Sequence, residues 1–262
     1  MKSNWWAVAC LLMLAGAYSH AALMVAGTRI IFERQQAQAV VQISNQGAQP
    51  LLAQMWIDRG QDGLPLEDIS VPFTIVPAVA RLDPGKAQTV RILQAAQEMP
   101  ADRESLFWFN ALEVPPKISD GGRIMQFTLR TRIKLFYRPQ GLRMTPAQAH
   151  ERLQFRVEEG QEPDGLSVRV SNPSPYFITL TSLELRDPAA SSEPQSEHAS
   201  AALATLRRQQ ERMIAPWSDA VIALDGLAFR PVPRHWRLHF GVVNDHGGES
   251  RGERSDASPG VP

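Results

Sequence analysis

One stretch of the chain combines residues that can pair a backbone, bury apolar surface and bind charge. Between positions 125 and 133 it alternates strictly. Met125, Phe127, Leu129, Thr131 and Ile133 fall on one face of an extended strand, and Gln126, Thr128, Arg130 and Arg132 on the other. Taken alone, that stripe reads as the last core strand of a sandwich, and Arg29 read alone is a surface cation. Catalytic chemistry finds little support. His235 and His239 could share a strand face, but no partnered carboxylate motif accompanies them, so no metal or cofactor is expected. There is no Gly-x-Ser-x-Gly, no His-Glu-x-x-His and no phosphate loop, so the chain reads as a non-enzyme without a small-molecule substrate. Trp56, Trp108, Trp217 and Trp236 could stack on sugars as well as fill a core, which keeps a non-catalytic periplasmic carbohydrate-binding sandwich open as the alternative.

The elements that must position these residues follow from composition. Of 262 residues, 44% are hydrophobic, enough for one large or two ordinary domains. Lys plus Arg and Asp plus Glu are 27 each, a balance that disfavours nucleic acid as a partner. Lys2, the uncharged apolar run 5–17 and Ser19-His20-Ala21 read as a secretory signal over 1–21, with Ala22 as the new N-terminus. Its removal takes away Cys10, the single cysteine, so the exported protein must fold in an oxidising compartment without a disulfide.

Frequent breakers, 20 Pro and 17 Gly, suit many short strands. Strands are expected over 28–32, 39–43, 51–57, 89–93, 105–114 and 124–137. The breakers Pro65, Pro72 and Pro77 and a tight turn at Asp83-Pro84-Gly85 interrupt them. A second set is expected over 153–157, 166–170, 176–185, 220–224 and 236–243. The segment 187–213 breaks the rhythm and reads as a mobile surface insertion. The tail 247–262 lacks an apolar run and reads as disordered. The fold class is all-β: two immunoglobulin-like sandwiches, 22–142 and 143–246, joined near 141–146.

With these elements in place, the chain resembles the periplasmic chaperones of the chaperone–usher pilus pathway. The resemblance is carried by Thr28-Arg29, Arg81-Leu82-Asp83-Pro84-Gly85 and Val90-Arg91-Ile92. It continues in Asp102-Arg103-Glu104-Ser105-Leu106-Phe107-Trp108-Phe109-Asn110, Val114-Pro115-Pro116 and Ile133-Lys134-Leu135-Phe136-Tyr137-Arg138-Pro139. Asn172-Pro173-Ser174-Pro175-Tyr176 and Asn244-Asp245-His246-Gly247-Gly248 extend it into the second half. It implies two sandwiches in an L- or boomerang-shaped arrangement, a periplasmic location, and pilus or fimbrial subunits and an outer-membrane usher as partners.

It also implies a mechanism, donor-strand complementation, in which the chaperone lends a strand to an incomplete subunit sandwich. The donor residues would be Met125, Phe127, Leu129, Thr131 and Ile133. Burying each of the first three contributes about 1.5–3 kcal/mol before ordering costs. The subunit's C-terminal carboxylate would be bound by Arg29 and Lys134, and Glu104, Arg138 and Asp245 would form an ion network between the domains. Lys134 has the opposite parity to Met125, so a local twist is expected to bring the two onto one surface. Ala78 stands where the family usually has a second proline after Pro77, and the short link 114–124 resembles the short-loop branch. Whether the free protein caps its strand by self-dimerising is left open.

Overall fold

The computed structural model describes residues 22–61, 63–116, 127–159, 166–186, 202–205, 212–224 and 235–256. The expected signal 1–21, Met125 and most of the link 114–124 therefore lie outside the described residues, as does most of the 187–213 insertion.

Among the described residues, the first unit holds nine strands: β1 (Leu23–Val25), β2 (Arg29–Glu33), β3 (Gln38–Asn45), β4 (Leu51–Asp58), β5 (Phe73–Val76), β6 (Val79–Leu82), β7 (Ala87–Gln94), β8 (Ser105–Val114) and β9 (Arg130–Arg138). They form two facing sheets, ordered β1-β3-β7-β5 and β2-β9-β8-β4-β6. Within these sheets, β2 and β9 run parallel and the other neighbours antiparallel. Strict alternation decides the faces: every second residue of β3, from Ala39 to Asn45, is buried. The core between the sheets is aromatic, with Phe32, Phe107, Phe109 and Tyr137 fully enclosed. The expected Asp-Pro-Gly turn forms, with Gly85 at φ +70 and the Lys86 amide donating to the Asp83 carbonyl. β1, β5 and β6 were not expected. The last two flank Pro77, and prolines at strand ends concealed both.

A short helix, α1 (Pro146–Glu151), opens the second unit where only a link was expected. Thr145 caps it and Gln148 returns the bond to the Thr145 amide, a capping box with Pro at the first turn. Then follow β10 (Gln154–Glu159), β11 (Leu166–Asn172), β12 (Ile178–Arg186), β13 (Ala202–Thr205), β14 (Arg212–Ile214), β15 (Ser218–Leu224), β16 (Arg237–Val243) and β17 (Glu249–Ser255). One sheet is β10-β11-β15. In the other, β12 carries β13 and β14 along one edge and β16-β17 along the other. The chain is thus two immunoglobulin-like β-sandwiches, each with its own apolar cluster.

Two expectations are corrected here. Parts of the 187–213 insertion are strand, because β13 and the start of β14 both pair with β12. The 247–262 tail is not disordered throughout, because β17 pairs with β16 over all seven of its residues. β17 needs no apolar run, since its backbone completes the sheet edge and Gly252 lets the Phe240 ring lie against it. A Cβ at Gly252 would stand 2.3 Å from that ring.

Candidate functional site

Strand β9 organises the site because its two faces have different neighbours. The odd residues point into the first sandwich. Ile133, Leu135 and Tyr137 are buried in its core and Thr131 is half-buried, whereas Leu129 and Phe127 are 47% and 71% exposed. Ile133, expected among the donor residues, is therefore filled in by the domain's own core. The stripe is continuous, but its cover ends between Ile133 and Leu129. Opposite it, the Glu113 amide still donates to the Leu129 carbonyl, and β8 ends one residue later. Phe127 and Leu129 thus stand where the sandwich stops.

The even residues form a ladder on the outer face. Arg130 donates to Asn110 Oδ1 at 2.7 and 2.9 Å and to Asp58 Oδ2 at 3.1 Å, with its guanidinium 5.0 Å from the Trp56 ring centroid. Arg132 donates to Asp58 Oδ1 at 2.8 Å and lies 4.5 Å from the Trp108 ring. Lys134 Nζ follows, 6.0 Å from the same ring. Asp58, Trp108 and Lys134 form one cross-strand row, because the strand registers pair Asp58 with Trp108 and Trp108 with Lys134. Asp58 lies just past the expected strand 51–57, and no role was expected for it, Arg130 or Arg132. Three cations at alternate positions opposite two tryptophans and an Asp were the available signal.

Lys134 is also the register partner of Arg29, the first residue of β2. Parallel pairing thus places the two cations side by side on the outer face; the twist expected to bring Lys134 and Met125 onto one surface falls on Met125, outside the described residues. The cations belong to one face of β9, and the exposed apolar residues to the other. Arg29 stacks 5.6 Å from the Phe136 ring and reaches towards the Val243 carbonyl at 3.5 Å. Both cations line a cavity of about 370 Å³ between the units, together with Thr28, Trp108, Arg132, Thr181 and Glu249. The pairing of β2 along β9 starts at Lys134, and among the described residues no strand lies beside positions 130–133 on that edge.

At its far end β9 joins the two units. Arg138 donates to Glu104 Oε1 at 2.9 Å and to both Asp245 oxygens at 2.8 and 3.0 Å, lying over the Tyr176 ring. Glu104 Oε2 accepts from the Phe177 amide at 2.9 Å, and the Glu104 amide donates to the Pro175 carbonyl. All three expected network residues are joined. Burial holds the Glu104 carboxyl above its usual range despite Arg138. Burial also opposes the charge on Asp245, but Arg138 holds that carboxyl below its usual range. Burial lowers the His150 imidazole, which lines the adjoining pocket with Arg29, Arg138 and Asp245.

The other expected chemistry is dispersed. Trp56 and Trp108 lie beneath guanidinium groups, and Trp236 packs on the second core. Trp217 alone of the four is largely exposed, at 53%. His235 pairs with Asp256 at 2.7 Å, and among the described residues no cluster of potential metal ligands forms.

Comparison with known proteins agrees with this arrangement. The family described as pili and flagellar-assembly chaperone, PapD N-terminal domain, matches residues 22–143, and its C-terminal counterpart matches 148–254. The probable fimbrial chaperone YadV of Escherichia coli is 38% identical over 242 residues, covering 89% of each chain. The chaperone protein FimB/FhaD of Bordetella pertussis is 37% identical, covering 88% of this chain and 86% of that one. The crystal structure of YadV superposes with a TM-score of 0.69, covering 90% of this chain and 100% of that one. Two sandwiches joined through Glu104, Arg138 and Asp245, one matched by each family domain, place this chain in the PapD family of pilus assembly chaperones.

Proposed function

We propose that this chain works in the periplasm, capturing a pilus or fimbrial subunit by lending it the open edge of β9 and passing it to an outer-membrane usher. The observation that carries this reading is the register of Arg29 beside Lys134, at the point where β2 begins and the β9 edge opens. A subunit strand ending there meets two cations at its terminal carboxylate: a planar fork from Arg29 and a point charge from Lys134. Because β2 already occupies 134–138, the subunit strand lies along 127–133 and runs towards Lys134, parallel to β9. Exposed Phe127 and Leu129, with Met125 further along, then enter the subunit's groove. Lys134 is nine positions from Met125, about 30 Å of extended strand, a span that one subunit strand covers. The carboxylate fixes the register, which apolar alternation alone would let slip by two.

The test is co-expression with a subunit encoded nearby, followed by affinity capture. Arg29→Ala and Lys134→Ala should each abolish co-purification while the variants remain folded and exported. Wild-type amounts of subunit with both variants would overturn the reading.

A further inference from the structure

The cavity that holds Arg29, Arg132 and Lys134 has an acidic wall. Glu249, the first residue of β17, lines it from the second unit beside Thr181, Gly247 and Gly248. Two glycines make that placement possible. Gly247 has φ +80, and a Cβ there would stand 2.4 Å from Thr28 Oγ1, so the β16–β17 hairpin closes onto the residue preceding Arg29. On β16, a Cβ at Gly241 would stand 2.9 Å from Glu249 Cδ and 2.5 Å from Thr181 Oγ1. Gly241 thus leaves the space in which the carboxylate sits. Glu249 Oε2 accepts from Thr181 Oγ1 at 3.1 Å and Oε1 from Arg251 Nε at 2.9 Å. Arg251 is 83% exposed, so solvent screens its charge, while Arg132 is already engaged by buried Asp58.

We infer that Glu249 limits the affinity of the carboxylate site: it is a resident acid that repels the subunit's terminal carboxylate from Arg29 and Lys134 and keeps capture reversible. The inference rests on the proposed reading of those two cations. A second carboxylate entering a partly enclosed cavity meets an existing negative charge in a medium less polarisable than water, so the repulsion is felt over several ångströms. The same hairpin carries Asp245, which binds Arg138, and Arg29 lines both the pocket that holds Asp245 and the cavity that holds Glu249.

The test uses the mature chain and a fluorescent peptide of alternating apolar residues, made with a free C-terminal carboxylate and, separately, with a C-terminal amide. The wild type should prefer the free acid. Glu249→Gln should bind the free acid about tenfold more tightly at low salt, with the gain shrinking at high salt and the amide unaffected. Glu249→Ala should behave the same way, separating charge from side-chain shape. If the wild type prefers the acid but neither variant binds it more tightly, the role of Glu249 is overturned and the two-cation site stands. If the wild type binds acid and amide equally, the two-cation site itself fails and this inference fails with it.

Discussion

Asp58 is the residue on which the outer ladder of β9 depends. Its side chain is 2% exposed and meets Arg130, Arg132, Asn110 and the Gly60 amide. Burial opposes its charge, but the Gly60, Arg132 and Asn110 hydrogen bonds together outweigh burial and hold the carboxyl below its usual range. A carboxyl lowered by folding contributes stability above its unfolded value and loses it as pH falls through the folded one. Asp58→Asn should lower stability at pH 7 by about 2–3 kcal/mol, and by less at pH 3. Denaturant titrations at both pH values check this, and equal losses at both would contradict it. The ladder was legible only in part. Alternation put Arg130 and Arg132 on one face, but nothing in the sequence marks Asp58, just past the expected strand 51–57, as a carboxylate that reaches across β8 to meet them.

At the scale of the element, β9 divides along its length. Phe127 is exposed and Ile133 belongs to the core, although the two share a face. Phe127→Ser should weaken subunit capture, by about 1.5–3 kcal/mol, and leave the melting temperature of the free protein unchanged. Ile133→Ser should destabilise the free protein by about 2–4 kcal/mol. Thermal melts and capture assays on the two variants separate the roles. A melting-temperature loss in Phe127→Ser as large as in Ile133→Ser would mean that one core covers the whole stripe. Sequence periodicity showed the stripe but not where its cover ends, because that point depends on the length of β8 and on where β2 joins. For the same reason β8 was readable, with its run of aromatics, whereas β17 was not. β17 is held by edge pairing and by Gly252 against Phe240, neither of which leaves an apolar pattern. Prolines hid β5 and β6 although both contribute to the sheets.

At the scale of the molecule, one cluster of charged and polar groups ties the two sandwiches together. Glu104 and Arg138 come from the first, and Asp245 and the Phe177 amide from the second. Phe136 and Phe177 add an aromatic contact at 5.8 Å. Glu104→Ala would strand the Phe177 amide and remove one of the two acids on Arg138. It should uncouple the units by about 2–4 kcal/mol, so that calorimetry resolves two transitions. A single transition at the wild-type temperature would show that the junction does not depend on this network. The two-sandwich plan was legible from strand spacing and turns, but the short helix α1 was not, because its capping box occupies only Thr145 to Gln148. The central claim is that a bound subunit pairs with the β9 edge. Hydrogen exchange at the amides of residues 127–133, with and without captured subunit, tests it most directly. The account predicts fast exchange at Phe127 and Thr128 in the free protein and strong protection across the segment in the complex, lost when Lys134 is replaced. Amides that exchange at the free rate while the subunit stays bound would contradict it.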